Sequence, residues 1–259
     1  MATFDRNQAT RYAGSRAEAG LYDAGLRAYM LRVYNYMALG LGITGLAALG
    51  TYSMSVTENA ANAAAQLPNG MMLTSLGVAL FASPLKWVVI LAPLAMVFFL
   101  SFRIQKMSVG AAQGTFWAYA ALVGISLSSI LMVYTHESVA RVFFITAASF
   151  GGLSLFGYTT KKDLSGWGSF LFMGLIGIVI ASVVNMFIGS SAMQFAISVI
   201  GVLVFAGLTA YDTQQIKEMY FEGDSDVTAG RKAIMGALRL YLDFINLFIM
   251  LMQLFGDRR

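Results

Sequence analysis

Seven apolar runs, at residues 30 to 54, 86 to 102, 112 to 134, 140 to 160, 167 to 189, 194 to 216 and 236 to 255, constrain this chain more than any other feature. Each falls within the roughly 17 to 25 residues that a helix needs to cross the ~30 Å hydrocarbon core of a bilayer. Backbone groups in that core find no water, so a spanning apolar run must be a helix that satisfies its own hydrogen bonds. Composition agrees: 58% of the 259 residues are hydrophobic and 12% charged, against about 25% charged in soluble domains. The expected fold is an all-α membrane protein with seven transmembrane helices.

Short loops join the runs and no internal repeat is visible, which predicts one domain at residues 29 to 259 behind a polar, cytoplasmic tail at 1 to 28. The tail has no apolar core after a short basic start, so it does not read as a cleaved signal peptide. The longest connection, 55 to 85, carries MMLTSLGVALFA, too short to span and expected at the membrane surface or dipping partly in. Pro93 lies well inside the second run and predicts a kink there. The chain has no cysteine and one histidine, His136, which excludes disulfides and metal sites built on soft ligands. The glycines within the runs read as packing devices that let helix backbones approach.

Lys and Arg set the orientation. With seven spans, 13 of them collect on the side of the N-terminal tail and 4 on the other. The N-terminus is therefore expected in the cytoplasm and the C-terminus outside. Arg258 and Arg259 at the very end oppose that assignment, and a re-entrant last helix would bring both termini to the cytoplasmic side.

Two aspartates stand inside the last two runs, Asp212 in GLTAYDTQQIK and Asp243 in LRLYLDFINLF. A charged aspartate at mid-bilayer costs roughly 2.5 to 3.5 kcal/mol on insertion scales, so both should turn away from lipid. Arg239, Asp243, Asn246, Met250 and Gln253 follow a 4, 3, 4, 3 spacing that lines them up on one stripe of the seventh helix. Thr209, Asp212, Gln215 and Ile216 share a face of the sixth. A polar stripe of this kind places the seventh helix inside the bundle, with the two carboxyls at similar depth. Two carboxylates ~4 Å apart repel by about 4 kcal/mol at an effective dielectric of 20, so the pair should titrate as a coupled unit.

The stretches AYDTQQIK at 210 to 217 and ALRLYLDFINLFIMLMQLFG at 237 to 256 closely resemble the C-terminal signature of the Bax inhibitor-1 family, the transmembrane Bax inhibitor motif proteins, in its bacterial branch. The KKDLS turn at 161 to 165 is similar to that family's loop between the fourth and fifth helices. The resemblance implies a central C-terminal helix wrapped by the other six. It also implies a pH-sensitive calcium leak channel in the bacterial inner membrane, gated by the aspartate pair that falls on Asp212 and Asp243. The family's arginine at the cytoplasmic end of the second helix falls on Arg103, as the gate partner of that pair, although here the run continues Ile104-Gln105-Lys106 rather than densely basic.

Three classes of function follow. In the first, a shared proton ties the last two helices together and its loss opens a path lined by oxygens for a hard cation such as Ca²⁺. Arg239, Asn246, Thr209 and Gln215 are then candidates to line the pair or the pore, Ca²⁺ touches Asp212 and Asp243 only in passing, and no resident cofactor is expected. The bland counterpart is a buried ionic cluster of the two aspartates with Arg103 or Arg239 that fixes packing and conducts nothing. In the second class the chain binds another membrane protein, such as a quality-control protease, through the tail and the FEGDSDVTAGRK segment at 221 to 232. The third, an enzyme, is not expected: His136 stands alone and GWGS at 166 to 169 lacks the GxSxG frame. The formal charge of +4 reflects the loops and implies no nucleic-acid partner.

Overall fold

The computed structural model describes residues 2–67 and 70–259, with side chains described from residue 23. Among the described residues, seven helices have the length and apolarity to cross a membrane. They are α1 (Ala2–Ser55, spanning from Asp23), α3 (Leu85–Arg103), α4 (Val109–Val133), α5 (His136–Thr159), α6 (Ser165–Ile188), α7 (Ser191–Glu218) and α8 (Asp226–Phe255). An all-α membrane fold with seven spans is thus what the apolar runs build.

Short polar signals set the helix ends. Ser108, Thr135, Ser190 and Ser225 stand just before α4, α5, α7 and α8, and each side-chain oxygen accepts a hydrogen bond from a first-turn N–H. Each such cap is worth about 1 kcal/mol. Gly189 ends α6 with φ at 68°, a left-handed conformation that favours glycine. Inside α3, Pro93 has no N–H for the Val89 carbonyl four residues back. The Ser126 hydroxyl of α4 donates to that carbonyl instead, so a neighbouring helix satisfies the group that proline frees.

The C-terminal helix α8 occupies the centre, with two thirds of its most apolar window buried. The ring around it is uneven. Helices α1, α4, α5 and α7 pack directly on α8, whereas α3 leans mainly on α4 and α6 on α7, leaving Phe98 and Phe102 or Phe170 and Phe187 facing outward. Close approach is arranged by glycine: a Cβ on Gly124 of α4 would strike the Thr44 carbonyl of α1, and one on Gly157 of α5 the Ala210 carbonyl of α7.

Three local features were not read from the sequence. The polar segment continues into the first span as one helix, α1, from Ala2, and Leu26 already lies in the core; the side chains of residues 1–22 lie outside the described residues. The 55 to 85 connection folds into a small sheet in the order β1-β3-β2, with β1 (Val56–Thr57) and β2 (Ala65–Gln66) both antiparallel to β3 (Met72–Leu73). A helical turn, α2 (Ser75–Gly77), then runs into a π turn at Val78–Ala82. Finally, α8 starts ten residues earlier than its apolar run. Its first turns project past the end of α7, where Lys232 donates to the Met219 carbonyl and Arg231 to the Met107 carbonyl.

Helix α8 is continuous from Asp226 to Phe255. At its far end the chain pairs with the α4–α5 connection: the Thr135 N–H donates to the Asp257 carbonyl, the Arg259 N–H to the Val133 carbonyl, and Arg141 forms an ion pair with Asp257 at 2.7 Å. The chain end therefore lies opposite the 160–164 turn, and a re-entrant last helix is not what forms.

Candidate functional site

Helices α7 and α8 run antiparallel, and three levels of side chains meet between them. Asp212 and Asp243 face each other at the end nearer the α7–α8 connection, close enough for each carboxyl to feel the other's charge. Midway, Met250 lies on Gly201, where a Cβ would collide with its sulfur. At the far end the Gln253 Oε1 accepts from the Gln194 amide at 2.7 Å and from the Ser198 hydroxyl at 2.7 Å. Asp243, Met250 and Gln253 of the 4, 3, 4, 3 stripe on α8 thus face α7.

At the carboxyl level Asp243 is 5% exposed and its Oδ2 has no hydrogen-bond donor among the described residues. Asp212 is half-buried beside it. Two carboxylate oxygens are both acceptors, so a hydrogen bond between them requires a proton on one. The positive charge that acts on both belongs to Arg239, one turn before Asp243 on α8 and itself exposed.

Arg103 does not take that position. It stands exposed at the end of α3, and the ion pairs among the described residues are Arg141–Asp257 and Lys232–Asp224. The reason is local: α3 passes there into a tight turn at Ile104–Lys106 that buries Ile104 and turns its flanking side chains outward. Gln215 also departs from expectation. Its amide reaches the Ser165 hydroxyl at 3.4 Å and the Glu218 carboxylate at 3.2 Å on the surface, away from the aspartates. Thr209 and Asn246 each donate to a carbonyl of their own helix, Phe205 and Leu242.

The sequence reading missed Gln214, which is buried and clamps the KKDLS turn by accepting from the Leu164 N–H and donating to the Lys162 carbonyl, both at 2.8 Å. In that turn the Ser165 N–H donates to Asp163 and holds its carboxyl below the usual range. Also missed was a chain of hydroxyls, Tyr34 to Ser154 at 2.6 Å and Ser154 to Thr213 at 2.9 Å, that joins α1, α5 and α7 beside Asp212. The far-end amides had a readable signal: Gln194, Ser198, Gly201, Phe205 and Asp212 share one face of α7, in register with the α8 stripe.

The sequence pattern described as inhibitor of apoptosis-promoting Bax1 matches residues 26–259. The chain belongs to the Bax inhibitor-1 family. Bacterial relatives include the inner membrane protein YbhL of Escherichia coli, 48% identical over 242 residues that cover 91% of this chain and 94% of the relative. A protein of Caulobacter vibrioides is 44% identical over 260 residues, all of both chains. A membrane protein of Streptococcus pyogenes is 38% identical over 236 residues, 90% of this chain and 94% of the relative. For this member of the Bax inhibitor-1 family, the aspartate pair and the amide cluster thus stand at opposite ends of one helix interface.

Proposed function

We propose that the protein is a pH-sensitive cation leak path, with Ca²⁺ as the permeating ion and the Asp212–Asp243 pair as its gate. The observation that supports this most is the buried Asp243 oxygen without a donor, set against a second carboxyl from the neighbouring helix. While one proton is shared, a hydrogen bond joins α7 to α8. Once it leaves, two charges ~4 Å apart repel by about 4 kcal/mol at an effective dielectric of 20, enough to bias a packed interface by roughly three powers of ten. The freed oxygens are hard ligands of the kind Ca²⁺ takes. Met250 against Gly201 is the apolar contact that a passing ion would have to displace.

Orientation in this reading follows the charges. The end of the bundle that holds the aspartate pair carries Arg27, Arg103, Lys161, Lys162, Lys217 and Lys232 among others, and the far end Lys86, Arg141, Arg258 and Arg259. By the positive-inside rule the aspartate-pair end faces the cytoplasm, so the gate senses cytoplasmic pH. The named relative in Escherichia coli supports a bacterial inner membrane. The alternative, a docking protein for a membrane protease, draws less from the geometry: residues 226 to 232 of its contact segment are helix, and Arg231 and Lys232 are engaged within the fold.

Ca²⁺ flux into proteoliposomes, followed from about pH 5 to about pH 8, tests the proposal, because that window brackets the second proton of a coupled pair. Flux should rise with pH, and Asp212→Asn and Asp243→Asn should each lose the response. A leak that grows on acidification contradicts the gate.

A further inference from the structure

We propose that the seam between α1 and α5 holds an anionic glycerophospholipid of the leaflet on the aspartate-pair side, with one acyl chain in the bundle and its phosphate on Arg27. The two helices lie side by side without close backbone packing. A cavity of about 570 Å³ opens between them, lined by Arg27, Met30, Tyr34, Phe150, Gly151 and Tyr158 among others. That volume is within the usual range for sites that take small molecules.

Its length and its mouth identify the occupant. Along α1 the cavity runs from Arg27 to Ala38, a rise of about 16 Å, close to the ~15 Å depth of one leaflet's hydrocarbon. The walls are mostly apolar, and the one cross-seam hydrogen bond at this level among the described residues is the Tyr34–Ser154 hydroxyl pair. A lipid tail is the chemistry that fills such a space from the side. At the mouth Arg27 is exposed, with no ion pair or hydrogen bond among the described residues. Lys217, outside the lining, donates to the carbonyl of the lining residue Tyr158 at 2.9 Å and has no carboxylate partner among the described residues. A cation without an ion-paired acid at headgroup depth complements a phosphate, and basic pockets between spanning helices hold such headgroups elsewhere. The proposal stands whether or not the aspartate pair gates an ion.

Native mass spectrometry on the full-length protein in mild detergent, stripped of lipid and titrated with phosphatidylglycerol, phosphatidylcholine of the same chains, or glycerol phosphate, tests it. Phosphatidylglycerol should bind about fivefold or more tighter than phosphatidylcholine, and glycerol phosphate should not bind at the same concentration. Arg27→Gln, a change at an exposed position, should remove the preference. Gly151→Phe, where a Cβ meets open space, should fill the cavity and weaken both lipids, while Gly45→Phe on the outer half of α1 should leave them unchanged. Equal binding of the two headgroups, wild-type preference in Arg27→Gln, or binding of glycerol phosphate as tight as that of the lipid would overturn the proposal.

Discussion

The two ends of the α7–α8 interface solve one problem in opposite ways. At the far end Gln253, Gln194, Ser198 and Asn185 are neutral, and the donors and acceptors that meet there match: the Asn185 amide donates to Gln194, which donates to Gln253. At the near end two acids meet, and one oxygen of Asp243 is left without a donor. A matched amide cluster holds helices together at every pH. A pair of carboxyls holds them only while a proton is present. The same helix interface therefore carries a permanent tie and, in our reading, a conditional one.

Making the near end resemble the far end should have the largest effect. Asp212→Asn with Asp243→Asn replaces both acids by amides, and the Ca²⁺ flux from these proteoliposomes should become flat across the pH range, a loss of the whole response. Arg239→Gln should come next. Without the cation that favours the ionised pair, half-maximal flux should move to higher pH, by up to about one unit for an exposed arginine; Arg103→Gln should leave it in place. An Arg103 variant that shifts as far as the Arg239 variant would break this assignment.

Stability sharpens the contrast further. Gln214→Ala leaves the Leu164 N–H and the Lys162 carbonyl without their partner and should lower unfolding stability by about 1 to 2 kcal/mol, whereas Gln215→Ala should stay within about 0.5 kcal/mol. Gln253→Ala, at the permanent tie, should cost about 1 kcal/mol in thermal unfolding. The pH response of flux should survive it.

What could be read from the sequence divides along similar lines. Hydrocarbon demands length and apolarity, so the seven spans were legible to within a few residues at most ends. The start of α8 was not, because Asp226 to Met235 are polar enough to resemble a loop and are helical through contacts with the α7 end and Met107. Asp212 and Asp243 were legible because an acid in an apolar run needs a reason. Arg103 misled because a basic residue at a helix end reads alike whether it turns inward or out. Gln214 and Gln215 are adjacent and chemically identical, and only the position of the KKDLS turn decides which one is buried. Of the far-end amides Gln253 was legible in the α8 stripe, whereas its partners Gln194 and Asn185 were overlooked because uncharged side chains raise no alarm in a hydropathy reading.

The shared proton is the central claim, and infrared spectroscopy detects it directly as the carbonyl stretch of a protonated carboxyl. Recorded on the reconstituted protein from about pH 5 to about pH 8, that band should fade over the same interval in which Ca²⁺ flux rises, and should be missing when both acids are replaced, Asp212→Asn with Asp243→Asn. A band that fades while flux stays flat, or no protonated carboxyl anywhere in that range, would contradict the account.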